Sequence, residues 1–289
     1  MRQGVIARGV LLVVALVLAG CSSTTFVTRQ QKLEVMTAEA HWQASVLSSK
    51  PFAIAAATSP RRISSKPLTV FIEGDGQAFS ANGDAAADPT PENPIALRMA
   101  LSQGGENLAY LARPCQYVMA SQRAVCNPAY WSTHRYAPSV VNSMGNALDI
   151  LKSDTGARQL ILVGYSGGGA IAALLAERRQ DVVGLVTVAA NLDIAAWTKM
   201  KGFAPLDASL DPVDGIDRLS GLRQVHFVGL DDRTVPPAVA ESFVGKLPNG
   251  ASVKIVRKAG FDHACCWVDG WPQLKNDPAL TLIDGWPLP

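Results

Sequence analysis

Charge is scarce in this chain and nearly balanced: 17% of the 289 residues are charged, and histidine occurs four times. Setting Arg2 and Arg8 aside with the leader discussed below leaves 24 Lys and Arg against 24 Asp and Glu. A chain with no net charge carries no basic field for a nucleic-acid partner, and no electrostatic patch for an anionic membrane. Cysteine is present five times but never as C-x-x-C, and no second histidine stands beside Cys265-Cys266. A metal site is therefore not expected, and no cofactor is implied. Internal repeats and long low-complexity linkers are also missing, so residues 41–289 read as a single domain.

Long apolar runs are absent except at the start, where Val10 to Ala19 follow Arg2 and Arg8. Ten residues are too few to span a bilayer stably, and the pattern reads as an export signal over residues 1–20. Leu18-Ala19-Gly20-Cys21 resembles the lipobox of bacterial lipoproteins. That resemblance implies acylation of Cys21, with residues 21–40 as a lipidated tether that starts on the polar Ser22-Ser23-Thr24-Thr25. Two or three acyl chains on one residue anchor a protein durably. The expected location is the bacterial envelope, facing the periplasm, with the outer membrane favoured by Ser22.

The chemistry is carried by Gly164-Tyr165-Ser166-Gly167-Gly168. An apolar run, Leu160 to Val163, precedes it, and a small-residue helix pattern, Gly169 to Leu175, follows. A strand turning that sharply into a helix holds a serine in a strained conformation, with its hydroxyl exposed, and needs glycines where the two elements approach. A serine hydroxyl at neutral pH is a weak nucleophile that needs a base, and the base needs an orienting group. Downstream, the strand-like Gln224 to Val228 runs into Gly229-Leu230-Asp231-Asp232-Arg233-Thr234-Val235-Pro236, and Ser252 to Val256 leads to Gly260-Phe261-Asp262-His263.

Serine, acid and histidine in this order resemble the α/β-hydrolase superfamily, whose acid commonly lies in a G-x-x-D-x-x-V-P turn. The resemblance implies Ser166 as nucleophile, His263 as base and Asp232 as orienting acid. Asp231 is the neighbouring alternative, and Asp193, after the Val183 to Val188 run, is a third. Of the other histidines, His226 lies inside an apolar strand and reads as core, His134 lies in a loop, and His41 lies near the amino end. The family's oxyanion donors are two backbone amides, here Gly167 and, after the Leu68 to Ile72 strand, Asp75, with Gly76 as the alternative. The family often has His-Gly where this chain has Glu73-Gly74.

An exported chain with four cysteines beyond Cys21 is a candidate for disulfides. Cys115 with Cys126 closes a short loop and is preferred; Cys265 and Cys266 then remain as neighbours, and a cross-link from them to the other loop is the alternative. Alternating strands and helices predict an α/β fold, a mostly parallel twisted sheet of about eight strands with helices on both faces and short cap insertions at 113–137 and 191–217. An opening hairpin is expected from Trp42–Leu47 and Phe52–Ala56. The aromatics of the two insertions either line an open cleft or pack their own loops. The implied activity is hydrolysis of a carboxylic ester, thioester or amide of a small acyl substrate. Peptidase or acyltransferase chemistry uses the same groups, and a non-catalytic lipoprotein keeping the fold as a binding module is the competing class.

Overall fold

The computed structural model describes residues 28–287, so the leader, the lipobox and Cys21 lie outside the described residues. The first described element is helix α1 (Arg29–Glu39), opened by a capping box in which Thr28 and Gln31 satisfy each other's backbone amides. Leu33 on α1 is buried in the core and Met36 packs beside it. Over 29–39 the expected tether is therefore a docked helix. Its sparse apolar positions gave no sustained helical stripe to read.

The expected hairpin forms from β1 (Gln43–Ser49) and β2 (Phe52–Thr58), paired in antiparallel register from Gln43 opposite Thr58 to Ser49 opposite Phe52. β2 runs antiparallel to β4 (Leu108–Leu111). From there the sheet is parallel: β3 (Leu68–Ile72), β5 (Leu160–Tyr165), β6 (Val182–Val188), β7 (Arg223–Gly229) and β8 (Val253–Lys258) complete the order β1-β2-β4-β3-β5-β6-β7-β8. Every residue of β3, β4 and β5 is buried, the pattern of strands covered on both faces. β8 closes the sheet as an edge and carries Lys254, Arg257 and Lys258, charges that discourage edge-to-edge pairing.

Two apolar layers cover the sheet. One holds residues of α3 (Pro138–Thr155), α4 (Gly167–Ala176) and α6 (Pro237–Lys246), and the other holds α1, α2 (Ile95–Gln103) and α7 (Trp267–Leu274). In the second layer Trp271 is fully buried, edge-on to Phe71, Phe227 and Trp286, and truncating such a ring costs about 3–5 kcal/mol. Cys115 is bonded to Cys126, and Cys265 to Cys266. The alternative cross-link between the two loops does not form. Among the described residues no helix is long and apolar enough to cross a membrane.

β3 has β4 on one side and β5 on the other, so the chain direction of assembly reverses there. Crevices beyond the carboxyl ends of strands at such a point are where ligands lodge in open α/β sheets.

Candidate active site

Ser166 sits in that crevice, between the end of β5 and the start of α4, with φ 50° and ψ −124°. A non-glycine residue there stores backbone strain of order 1–3 kcal/mol, held by its surroundings. Part of the restraint is the Ser166 amide, which donates to the Val188 carbonyl at 2.9 Å. The flanking glycines answer a close approach: a Cβ on Gly164 would lie 2.4 Å from the Gly168 carbonyl oxygen, and one on Gly168 would lie 2.3 Å from that of Ile72. No side chain fits at either place.

The structure brings Ser166, His263 and Asp232 together. Ser166 Oγ lies 3.0 Å from Nε2 of His263, and Nδ1 of His263 lies 2.8 Å from Oδ2 of Asp232. With the buried carboxylate accepting from Nδ1–H, the unprotonated Nε2 is left as the acceptor for the serine hydroxyl. Asp232 is itself held, because its Oδ1 accepts from the amides of Thr234 and Val235, each at 2.8 Å. The loop carrying His263 is fixed from several sides. Tyr165 Oη donates to the His263 carbonyl at 2.8 Å, Trp267 Nε1 donates to the Asp262 carbonyl at 2.9 Å, and Asp262 Oδ1 accepts from Ala264 and Cys265 amides.

The alternatives are placed elsewhere. Asp231 is exposed and takes no part in this chain of bonds. Asp193 caps helix α5 (Ile194–Lys201) and is paired with Lys246 and Ser242. His226 is fully buried on β7 against Phe243, with Thr187 Oγ1 2.8 Å from its Nδ1, and burial pushes its pKa down to about 3. The His134 side chain meets its neighbour Thr133 and the ring of Tyr130.

Beside the serine, no hydrogen bond among the described residues engages the backbone amides of Asp75 and Gly167. The Asp75 side chain packs onto Gly167, whose added Cβ would lie 2.1 Å from Asp75 Oδ1. Sequence reasoning assigned Asp75 an amide and missed its carboxylate. Arg113 Nη1 donates to Oδ1 at 3.0 Å and Arg135 Nη1 to Oδ2 at 2.7 Å, with Tyr136 Oη 3.4 Å away. Burial raises the Asp75 pKa, but the charges and hydrogen bonds of the two guanidiniums outweigh it and hold the carboxyl below its ordinary value. Glu73 was missed as well. Pro94 cannot cap α2, and the orphan amides of Ala96 and Leu97 donate instead to the Glu73 carboxylate, as does Tyr110 Oη. Burial pushes the Glu73 pKa up to about 6 against those bonds. A proline at the cap position was the one signal that a distant acceptor was needed.

Ser166 and His263 open into a cavity of about 1150 Å³. Its walls include Phe79, Trp197, Phe203 and Leu206 on the apolar side and Arg135 and Asn191 on the polar side. The insertion at 191–217 thus lines the cleft through Trp197 and Phe203, whereas Tyr117, Trp131 and Tyr136 of the first insertion are buried in the core layers. Among the described residues no cluster of three His, Cys, Asp or Glu side chains could hold a metal ion.

No family model and no curated protein matches the sequence. Solved structures do match in shape. Est1E from Butyrivibrio proteoclasticus superposes with a TM-score of 0.57 at 13% identity, over 83% of this chain and 98% of that one. A membrane phospholipase A described as a bacterial virulence factor gives 0.52 at 15% identity, over 85% and 87%. The acylaminoacyl peptidase of Pyrococcus horikoshii gives 0.57 at 13% identity, over 77% of this chain and 37% of that longer one. At these identities the likeness establishes the fold, the α/β-hydrolase fold, and leaves the chemistry to the site.

Proposed function

We propose that the protein is a serine hydrolase of the bacterial envelope that cleaves a carboxylic ester through an acyl-enzyme on Ser166. The observation that carries this reading is the unbroken hydrogen-bonded path from Ser166 Oγ through His263 to the buried Asp232, opening on a cavity. His263 Nε2 takes the hydroxyl proton as Oγ attacks the ester carbonyl, and then gives that proton to the departing alkoxide. Water repeats the sequence on the acyl-enzyme, with His263 again as base, and releases the acid. Asp232 keeps the imidazole in the tautomer that both steps need. The free amides of Gly167 and Asp75 are the donors for the tetrahedral oxyanion, a role worth on the order of 10²–10³ in turnover per donor. Est1E, the phospholipase and the peptidase support acyl transfer in general, and the esterase assignment is our choice among their chemistries.

Cys21 is the proposed lipid attachment point, which places the domain on a membrane facing the periplasm. A fluorophosphonate probe tests the catalytic assignment: the wild type takes the label and Ser166→Ala does not. A folded wild type that stays unlabelled would favour the binding-module reading. Incorporation of labelled palmitate by the wild type and its loss in Cys21→Ser tests the anchor.

A further inference from the structure

The amino end of the described chain lies at the mouth of the cleft. β1 runs parallel to β4, because each is antiparallel to β2, so β1 enters the sheet at the amino ends of the parallel strands. Helix α1 immediately precedes β1, and its first turn must therefore stand at the opposite, carboxyl end. Its contacts agree. Arg29 Nη2 donates to Glu92 Oε1 at 2.6 Å, and Lys32 Nζ reaches the Glu92 carbonyl. Glu92 lines the same cavity as Ser166. Seven positions separate Cys21 from Thr28, which even fully extended is about 25 Å.

Apolar side chains are also exposed at that mouth. Phe79 is 48% exposed and Phe203 52%, both on the cavity wall, and Met200, on α5 three residues before Phe203, is 48% exposed. The stretch from Gly202 through Pro205 is exposed along its whole length. Single exposed apolar side chains are ordinary, but several gathered at the rim of one cleft mark an interaction surface.

We propose that this rim, Phe79 with Met200 and Phe203, docks on the lipid surface to which Cys21 tethers the chain, and that the cleft takes an acyl ester presented by that bilayer. The proposal rests on the hydrolase and anchor readings above and names their substrate class. A lipid surface is the occupant because the tether ends on the same side as the rim and is too short to carry the domain far away. Ring faces and a thioether lie in the interfacial layer, and the substrate's acyl chain passes from the bilayer along Phe79 and Phe203 toward Ser166 without crossing water.

The test uses the full mature, lipidated protein reconstituted in phosphatidylethanolamine–phosphatidylglycerol vesicles. Turnover of a long-chain fluorogenic ester dissolved in the bilayer is compared with turnover of a short water-soluble ester. Met200→Glu is expected to lower the bilayer rate about tenfold while the soluble rate stays within twofold, which also shows that the variant is folded. Phe203→Ser, judged on the ratio of the two rates, should move the same way. An unchanged ratio in both variants overturns the docking. So does a ratio that follows the splitting of a dimer seen by sedimentation, which assigns the rim to a second copy. A wild type inert toward the soluble ester refutes the hydrolase reading itself, a result distinct from either.

Discussion

Replacing Asp75 by Asn removes one charge from a buried cluster of three and keeps its shape. The side chains of Arg113, Arg135 and Asp75 are 5%, 8% and 13% exposed, so water replaces little of what is lost. Two guanidiniums then face each other across a neutral amide. Breaking a buried pair by removing one partner costs about 3–5 kcal/mol, because the charge left behind stays desolvated. At about 2–4 °C per kcal/mol for a domain of this size, the midpoint of thermal unfolding should fall by about 6–20 °C. Calorimetry at neutral pH measures the shift. The acid limb offers a second reading, since the folded pKa of Asp75 lies below its unfolded value. Its contribution is complete above the unfolded pKa of about 3.9 and is lost as pH falls through the folded value. Asp75→Asn should therefore flatten the loss of stability on the acid side. A midpoint within about 2 °C of the wild type would refute the claim that the cluster is held by its charges.

Asp232→Asn should lower turnover of a soluble ester by about 10⁴ while Asp231→Asn leaves it within a few-fold, and the reverse order in steady-state kinetics would move the acid by one residue. Glu73, with a folded pKa raised to about 6, binds its proton more tightly in the fold than in the unfolded chain, so it subtracts stability as pH rises through that window. Glu73→Gln should remove about 2 kcal/mol of that slope between roughly pH 4 and 6, measured by urea unfolding at each pH. Cys115→Ser should cost about 3 kcal/mol through the loop it releases, and peptide mapping without reductant should recover Cys115 joined to Cys126. Four alkylatable thiols in the exported protein would contradict that pairing.

What could be read from the sequence was local or ordered along the chain. The elbow at Ser166 is written in glycines two residues either side, because the steric demand acts within one turn. The sheet was legible because its central parallel strands are short apolar runs bounded by turn residues. The charge cluster was not legible. Asp75 meets Arg113 and Arg135 across sequence separations of 38 and 60, and nothing in the local pattern of any of the three announces the others. Helix α1 was missed for a related reason: Leu33 and Met36 are apolar only as a pair on one face, and their burial depends on the sheet edge and the apolar layer that form from residues later in the chain.

The missed features are the ones that restrain the legible ones. Ser166 holds an unfavourable φ beside the Gly167 turn, on which the Asp75 carboxylate lies, gripped by two arginines from the first insertion. The Cys115–Cys126 bond lies within the same insertion, between Arg113 and Arg135. The placement of Ser166 is thus linked through Asp75 to an insertion well before it in sequence. Under the export proposed above, the chain folds outside the reducing cytosol, where such a disulfide persists. The insertion at 113–137 grips Asp75 through Arg113 and Arg135 and buries most of its aromatics, while the insertion at 191–217 turns Trp197 and Phe203 to the ligand side. A substitution at the buried Arg113 should therefore change stability and turnover together, whereas one at Phe203 on the cavity wall should change selectivity among esters with the fold intact.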